Sequence, residues 1–366
     1  MKLLIINSVC GTGSTGRICS KIAREYSDNG YEVKIAYGRS SFVPKEDEKF
    51  AVKIGGGFDL KTHAIKTRLF DKHGLGSVNA TKNFLKWADE FDPDVLWLHN
   101  VHGYYINYQL LFKWIKTRPD MQVKWTLHDC WAFTGHCSYF SAVGCEKWKT
   151  LCRKCPQKKQ YPKSSLFDNS KNNYLKKKAS FTGVKKMEII TPSYWLSDLV
   201  KLSFLKDYPV EVRHNTIDTA VFKPTPSDFR KRLDIENKKI VLGVAGVWDS
   251  RKGFSDFIGL SELLDERYVI VLVGLSEKQI KKLPKNVIGI ARTNSAKELA
   301  EIYSAADVFL NLTYEDNYPT VNLEAQACGT PCITYRTGGS VESVPENNIV
   351  EQGDLFAIKD ILEKLI

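Results

Sequence analysis

No stretch of about 18 consecutive apolar residues, the minimum a helix needs to cross a bilayer, occurs in the chain, so nothing in it spans a membrane by itself. The apolar opening at residues 1–7 is too short for a signal peptide and leads straight into a glycine loop, which predicts a cytoplasmic protein. Short-period repeats are absent, and so are low-complexity tracts apart from clustered lysines. Acidic residues are in deficit: 42 face 53 basic ones, the formal charge is +11 and the pI about 9.0. That balance favours an anionic partner. A charge run is by default a solvated face, and anionic lipid headgroups, a lipid-linked diphosphate or nucleic acid all fit the lysines crowded between residues 147 and 186, so charge alone does not choose.

What is present is enough chain for two cores: 366 residues exceed one ordinary domain. The first half alternates apolar strands at 2–9, 32–37, 95–98 and 123–127 with amphipathic segments such as 18–26, the pattern of a parallel α/β sheet. Residues 208–226, rich in proline and polar side chains, read as a connection. A second series starts at Lys239, with strands at 240–244, 269–273, 287–290, 308–312 and 331–334. The expectation is an α/β protein of two Rossmann-like domains, 1–207 with a cysteine-rich insertion near 130–160, and 208–366, closed by an amphipathic helix over 355–366. The aromatic segment 104–116 is more typical of core than of a membrane face.

Two carboxylates flank a helix start in the second half. Pro319 suits the first turn of a helix that Gly329 ends, which puts Asp316 in the preceding loop and Glu324 inside the helix. Backbone amides and the dipole make such a helix start a natural phosphate site. Glu324 sits among Val321, Leu323, Ala325 and Ala327, where a carboxylate needs a partner. A structural cap or an ion pair with Arg336 is the plain alternative; a nucleotide-sugar site is the functional one.

Gly11, Gly13 and Gly16 follow the first strand and open a helix, which meets the G-x-G-x-x-G spacing in its strand-to-helix context. Taken alone, that loop is compatible with an NADP oxidoreductase in which Arg39 meets the extra phosphate. Such an enzyme leaves the paired acids and the basic loop 246–253, with Arg251 and Lys252, unexplained.

Together these segments resemble glycosyltransferase family 4, retaining transferases of the GT-B fold, in which two such domains face each other across a cleft and two acids are separated by seven residues. Asp316 and Glu324 meet that spacing, with Asp where the family usually has Glu. The resemblance implies that Asp316 contacts donor-sugar hydroxyls, that amides of Tyr318, Pro319's neighbour Thr320, and Val321 hold the distal phosphate, and that Glu324 takes the ribose hydroxyls. Arg251 and Lys252 match the part of the pattern that neutralises the donor diphosphate, while Val247 stands where many relatives carry Arg. The glycine loop then faces the diphosphate, and the last helix packs back on the first domain. No cofactor is required for the chemistry; an Asp-x-Asp donor-metal motif is lacking in any suitable loop. The resemblance implies a nucleoside-diphosphate sugar as donor and a saccharide, lipid-linked at the inner face of the membrane, as acceptor, with peripheral membrane contact and no nucleic acid.

His128, at the end of the strand 123–127, occupies by the same resemblance the position whose imidazole or main chain lies near the transferred sugar. The earlier segment 99–105, with His99 and His102, lines an acceptor pocket or is structural. Cys137, Cys145, Cys152 and Cys155 follow in a C-x7-C-x6-C-x2-C array with Cys130 nearby. In a cytosolic chain such a cluster points to structural zinc before disulfides, with reduced thiols the other reading. The whole passage resembles a subgroup engaged in colanic acid, capsule and exopolysaccharide synthesis. A rival of another class, a zinc-dependent protein binding nucleic acid or an anionic surface, fits the charge and the cysteines but gives the second domain no task.

Overall fold

The computed structural model describes residues 1–40 and 42–365. The chain divides into two compact units, Met1–His214 and Asn215–Ile366.

The first unit is built from β1 (Lys2–Ile6), α1 (Gly13–Asp28), β2 (Glu32–Tyr37), β3 (Ala51–Lys53), α2 (Gly57–Phe70), α3 (Val78–Phe91), β4 (Val95–Leu98), α4 (Tyr108–Lys116), β5 (Gln122–Thr126), α5 (Ser170–Phe181), β6 (Met187–Thr191), α6 (Tyr194–Lys201) and β7 (Val210–Val212). Its seven strands run in the order β3-β2-β1-β4-β5-β6-β7 and every pairing is parallel. Leu3 to Ile6 are all fully buried, as strands covered by helices on both faces must be. Because β7 pairs with β6, residues 208–214 belong to this unit; the connection expected to begin at 208 starts after His214. The aromatic segment is core: Asn107 caps α4 by accepting from the Leu110 amide at 3.1 Å, and Tyr108, Leu111, Phe112, Trp114 and Ile115 are buried.

The second unit contains α7 (Phe229–Arg232), β8 (Lys239–Val244), α8 (Phe254–Leu263), β9 (Tyr268–Val273), α9 (Glu277–Ile280), β10 (Val287–Ile290), α10 (Ala296–Ala305), β11 (Val308–Asn311), α11 (Thr320–Ala327), β12 (Cys332–Tyr335), β13 (Ile349–Val350) and α12 (Leu355–Leu365). Its parallel sheet has the order β10-β9-β8-β11-β12-β13. Ile358 and Leu362 of α12 are fully buried in the core of this unit, with α12 packed on α8, so the apolar face of the final helix is used within its own domain. Ile366, part of the expected helix, lies outside the described residues. Both sheets therefore reverse their strand order next to the first strand, at β1/β4 and at β8/β11. The crevice outside the carboxyl ends of strands at such a reversal is where open α/β sheets take ligands, and the four loops that leave β1, β4, β8 and β11 carry most of the residues singled out from the sequence.

A histidine outside those loops ties the first unit to pH. His63 on α2 is fully buried; its Nε2 accepts from the amides of Gly74 at 3.1 Å and Gly76 at 3.0 Å, and its Nδ1 meets Ser77 Oγ at 2.9 Å. Two amides aimed at Nε2 leave no place for a second ring proton, and burial pushes the group down from 6.5 to about 4. A depressed folded-state value means the contribution is present in full above the unfolded value and is lost as pH falls through the folded one. Unfolding free energy is expected to drop by about 3 kcal/mol from this group between pH 6.5 and 4, a trend that denaturant titrations across that window check and that His63→Gln flattens.

Candidate functional site

In the second unit, β8 ends at Val244 and its loop tightens into a helical turn at Ser250–Lys252, capped by Asp249, whose Oδ1 accepts from the Lys252 amide at 3.1 Å. Gly253 makes the turn practicable. Its φ is +68°, and an added Cβ would meet the Leu312 carbonyl oxygen at 2.1 Å, so the basic turn lies directly on the end of β11. Gly253→Ala is expected to cost roughly 2–3 kcal/mol of stability through strain and displacement of Leu312, measured by chemical denaturation.

That contact brings the sequence-distant charges together. Arg251 donates from a guanidinium nitrogen to the Glu315 carbonyl at 2.8 Å, while the Arg251 carbonyl accepts from the Tyr314 amide at 2.8 Å. Lys252 Nζ meets Asp316 Oδ2 at 2.5 Å, both side chains being less than a fifth exposed. Asp316 is further fixed by the Asn317 amide on its Oδ1 at 2.9 Å and by the Gly339 amide on its carbonyl at 3.3 Å. Next comes α11, with Pro319 as the residue before its first turn and no side chain capping that end. The Tyr318 carbonyl accepts from Asn215 Nδ2 at 2.9 Å. Asn322 anchors the helix, bonding to Asn311 at 2.8 Å and Ser343 at 2.9 Å.

Glu324 is buried on α11, and Tyr303 on α10 donates its hydroxyl to Oε2 at 3.3 Å. Burial and the Glu324 charge push that phenol well up, which keeps it a donor. The alternative of a Glu324 pair with Arg336 is not what the chain adopts, because Arg336 binds Glu351 at 2.7 Å and Glu346 at 3.0 Å. Arg251, Lys252, Asp316 and the start of α11 thus form one cluster, and Glu324 lies one turn further along the same helix.

In the first unit, Gly11 has φ +68° and an added Cβ would strike Pro44 Cδ at 2.4 Å; Gly13 has φ +65°. Gly16 packs below Val9, where a Cβ would lie 3.1 Å from its Cγ2. The loop leads into α1 with Thr12 in the capping position and no side-chain cap bond. Asn7, one residue past β1, ties the loop to β4, bonding the Val9 carbonyl at 2.8 Å and accepting from the Asn100 amide at 3.3 Å.

His128, two residues past β5, meets His99 just past β4: Nε2 and Nδ1 are 2.9 Å apart with the rings stacked. Burial pushes His128 down to about 4, so the ring is neutral near pH 7. Alongside, His102 Nε2 lies 3.2 Å from Asp129 Oδ2 and its Nδ1 is 3.2 Å from the Tyr161 hydroxyl. Burial opposes the Asp129 charge, yet His102 and the Trp131 amide hold its carboxyl below the ordinary range. Asp129 and Tyr161 were not singled out from the sequence. Asp129 directly follows His128 at a strand end, which was the available signal; Tyr161 had none.

The cysteine expectation needs correction. Cys137, Cys145, Cys152 and Cys155 do line one small cavity, together with His136 and Trp148, and all are free thiols. Among the described residues, however, no group of three or more His, Cys, Asp or Glu side chains is disposed to hold a metal ion, so zinc on these four cysteines is not supported. The potential ligands are engaged otherwise. A hydrogen bond to Cys155, then burial, pushes the Cys137 thiol well up, and His136 Nδ1 is 2.5 Å from buried Asp71. Fully buried Lys177 sits beside them, donating to the Trp131 carbonyl at 2.6 Å. Burial pushes its ammonium down to about 7, against the pull of Cys152 and Cys137.

Residues 227–366 match the model of the family described as glycosyl transferases group 1. Over 282 residues the chain is 24% identical to the Escherichia coli K12 protein named "Putative colanic acid biosynthesis glycosyl transferase WcaC", an alignment covering 75% of this chain and 67% of that one. It is 28% identical to the alpha-galactosylglucosyldiacylglycerol synthase of Streptococcus pneumoniae R6, over 51% of this chain and 58% of that one. The fold is that of Anabaena HepE, solved in complex with UDP, at TM-score 0.65 and 15% identity, covering all of this chain and 89% of the other. The alignments with these two sequence relatives thus span between about half and two thirds of their length. Residues 227–366 thus match a group 1 glycosyl transferase domain, and the two parallel α/β sheets have the fold of GT-B glycosyltransferase structures.

Proposed function

We propose that the chain is a retaining glycosyltransferase that moves a sugar from a nucleoside-diphosphate donor to a lipid-linked saccharide during surface-polysaccharide synthesis at the inner face of the membrane. The observation that carries the reading is the meeting of Arg251, Lys252 and Asp316 at the start of α11. In transfer, the bond between the anomeric carbon and the diphosphate oxygen breaks, negative charge grows on the leaving group, and fixed donors placed there lower the barrier. Arg251, Lys252 and the amides of Tyr318, Thr320 and Val321 at the start of α11 supply the positive charge and donors that offset it. Asp316 orients the donor-sugar hydroxyls, and Glu324 takes the ribose hydroxyls. In the first unit, neutral His128 and the Gly11, Gly13 and Gly16 loop are the groups that the family resemblance assigns to the transferred sugar and to phosphate oxygens. The acceptor proton passes to the departing phosphate, so no separate side-chain base is required. No cofactor enters this chemistry. The polysaccharide and glycolipid names of the two sequence relatives, and the UDP bound by HepE, favour the donor and acceptor classes. Incubation with labelled UDP-, GDP- and ADP-sugars and a bacterial lipid extract tests it. The expected result is label in the lipid fraction, with the anomeric configuration of the donor kept in the product; label confined to released free sugar would contradict the acceptor class, and inversion would contradict the mechanism.

A further inference from the structure

Helix α2 is built inside out. Its buried face carries His63 and Thr67, whereas Phe58, Ile65 and Leu69, which fall within a narrow angular stripe at 3.6 residues per turn, point to solvent, Phe58 at 80% and Ile65 at 55% exposure. The stripe continues onto a second segment. The Ser165 amide donates to the Arg68 carbonyl at 2.7 Å and the Phe167 amide to the Leu69 carbonyl at 3.4 Å, which stacks Phe167 on Phe70 with centroids 5.8 Å apart. Leu166 beside it is 63% exposed and Phe167 56%. Scattered exposed apolar residues need no explanation, but a contiguous patch of this kind marks a contact surface.

The rim of the patch decides the partner. Lys61 and Arg68 flank the stripe on one side and Lys66 on the other, all exposed. Lys72 lies over the Phe70 ring at 5.8 Å, Lys158 donates to the Leu166 carbonyl at 3.3 Å, and Lys163 and Lys171 are exposed nearby in sequence. The neighbouring acids face backbone amides: Asp59 that of Gly56, Asp71 that of Asn169, Asp168 those of Cys155 and Ser170. An apolar stripe with cationic borders is the form of a helix that lies in a bilayer interface.

We infer that α2 and the 164–168 segment form the surface by which this chain docks on an anionic phospholipid bilayer, with Phe58, Ile65, Leu69, Leu166 and Phe167 entering the headgroup boundary and Lys61, Lys66, Arg68 and Lys72 meeting lipid phosphates. The inference rests on the lipid-linked acceptor reading for its purpose and on this patch for its evidence. Each lysine or arginine at an anionic surface favours partition by about fivefold. Co-sedimentation of the full chain with mixed phosphatidylglycerol and phosphatidylcholine vesicles, against pure phosphatidylcholine, tests it, with light scattering for oligomeric state and calorimetry of nucleotide-sugar binding on the same preparation. The expected result is salt-sensitive binding to the anionic vesicles only. It should weaken at least about tenfold in the Ile65→Ser, Leu166→Ser, Phe167→Ser triple variant and again in Lys66→Gln, Arg68→Gln, with thermal unfolding and donor affinity unchanged. Equal binding to neutral vesicles, binding untouched by these changes, or a dimer that the triple variant dissociates overturns it. Donor binding without vesicle binding sinks the docking surface and leaves the transferase reading standing.

Discussion

Replacing Lys252 by methionine is expected to lower kcat by about two to three orders of magnitude, the loss typical when one fixed donor to a developing anion is removed. Two effects act in the same direction. The ammonium that meets Asp316 at 2.5 Å is no longer available to the leaving diphosphate, and Asp316, mostly shielded from water, is left as an uncompensated negative charge beside it. The isosteric stem keeps the packing, but the unpaired Asp316 charge lowers stability as well, so the rate is measured well below the variant's own unfolding midpoint. Lys252→Arg restores charge but not a point donor, and a partial recovery is expected. Steady-state kinetics with saturating donor separates these outcomes; a kcat within about threefold of wild type would remove Lys252 from the charge-stabilising role.

Glu324→Gln is expected to act differently, raising the donor KM by about 10- to 100-fold with little change in kcat. A contact to ribose hydroxyls is made equally in ground and transition states, so its loss appears in binding and not in the chemical step. A charged hydrogen bond of about 1.5–3 kcal/mol sets the size. The glutamine keeps the volume of a side chain only 3% exposed and leaves an oxygen for the Tyr303 hydroxyl, now 3.3 Å from Oε2. Tyr303→Phe is expected to give a smaller effect of the same kind, since Tyr303 positions Glu324. Inhibition constants for the nucleoside diphosphate alone provide the check: they should rise in parallel with KM.

Much of this was readable in the sequence because it is local. The central strands of both sheets are short apolar runs, buried as parallel strands are, and the glycine loop, the basic turn and the Asp316 to Glu324 offset each lie within one strand-to-helix connection. What was not readable depends on packing across distance. Glu324 finds Tyr303, 21 residues away on another helix, where the sequence offers a cap or an ion pair with Arg336 only as the plain alternative. His102 finds Asp129 and Tyr161 through loops. Helix α2 left no periodic signal, because both of its faces carry apolar side chains and its buried one carries a histidine. The cysteine array shows the converse: spacing brought four thiols to one cavity, but spacing says nothing of the Cys137–Cys155 hydrogen bond or of the buried Lys177 beside them. The domain boundary moved for a similar reason, since the polar, proline-rich segment hid a three-residue edge strand.

Binding of nucleotide sugars to the intact chain tests the account most directly. Thermal unfolding followed with UDP-, GDP- and ADP-sugars, with NADP as the control, reads it through the stabilisation that any ligand of the native state confers. The account predicts that at least one nucleotide sugar raises the midpoint in proportion to the logarithm of its concentration and that Glu324→Gln abolishes most of the rise. Stabilisation by NADP alone, or by no nucleotide sugar at any concentration, would contradict it.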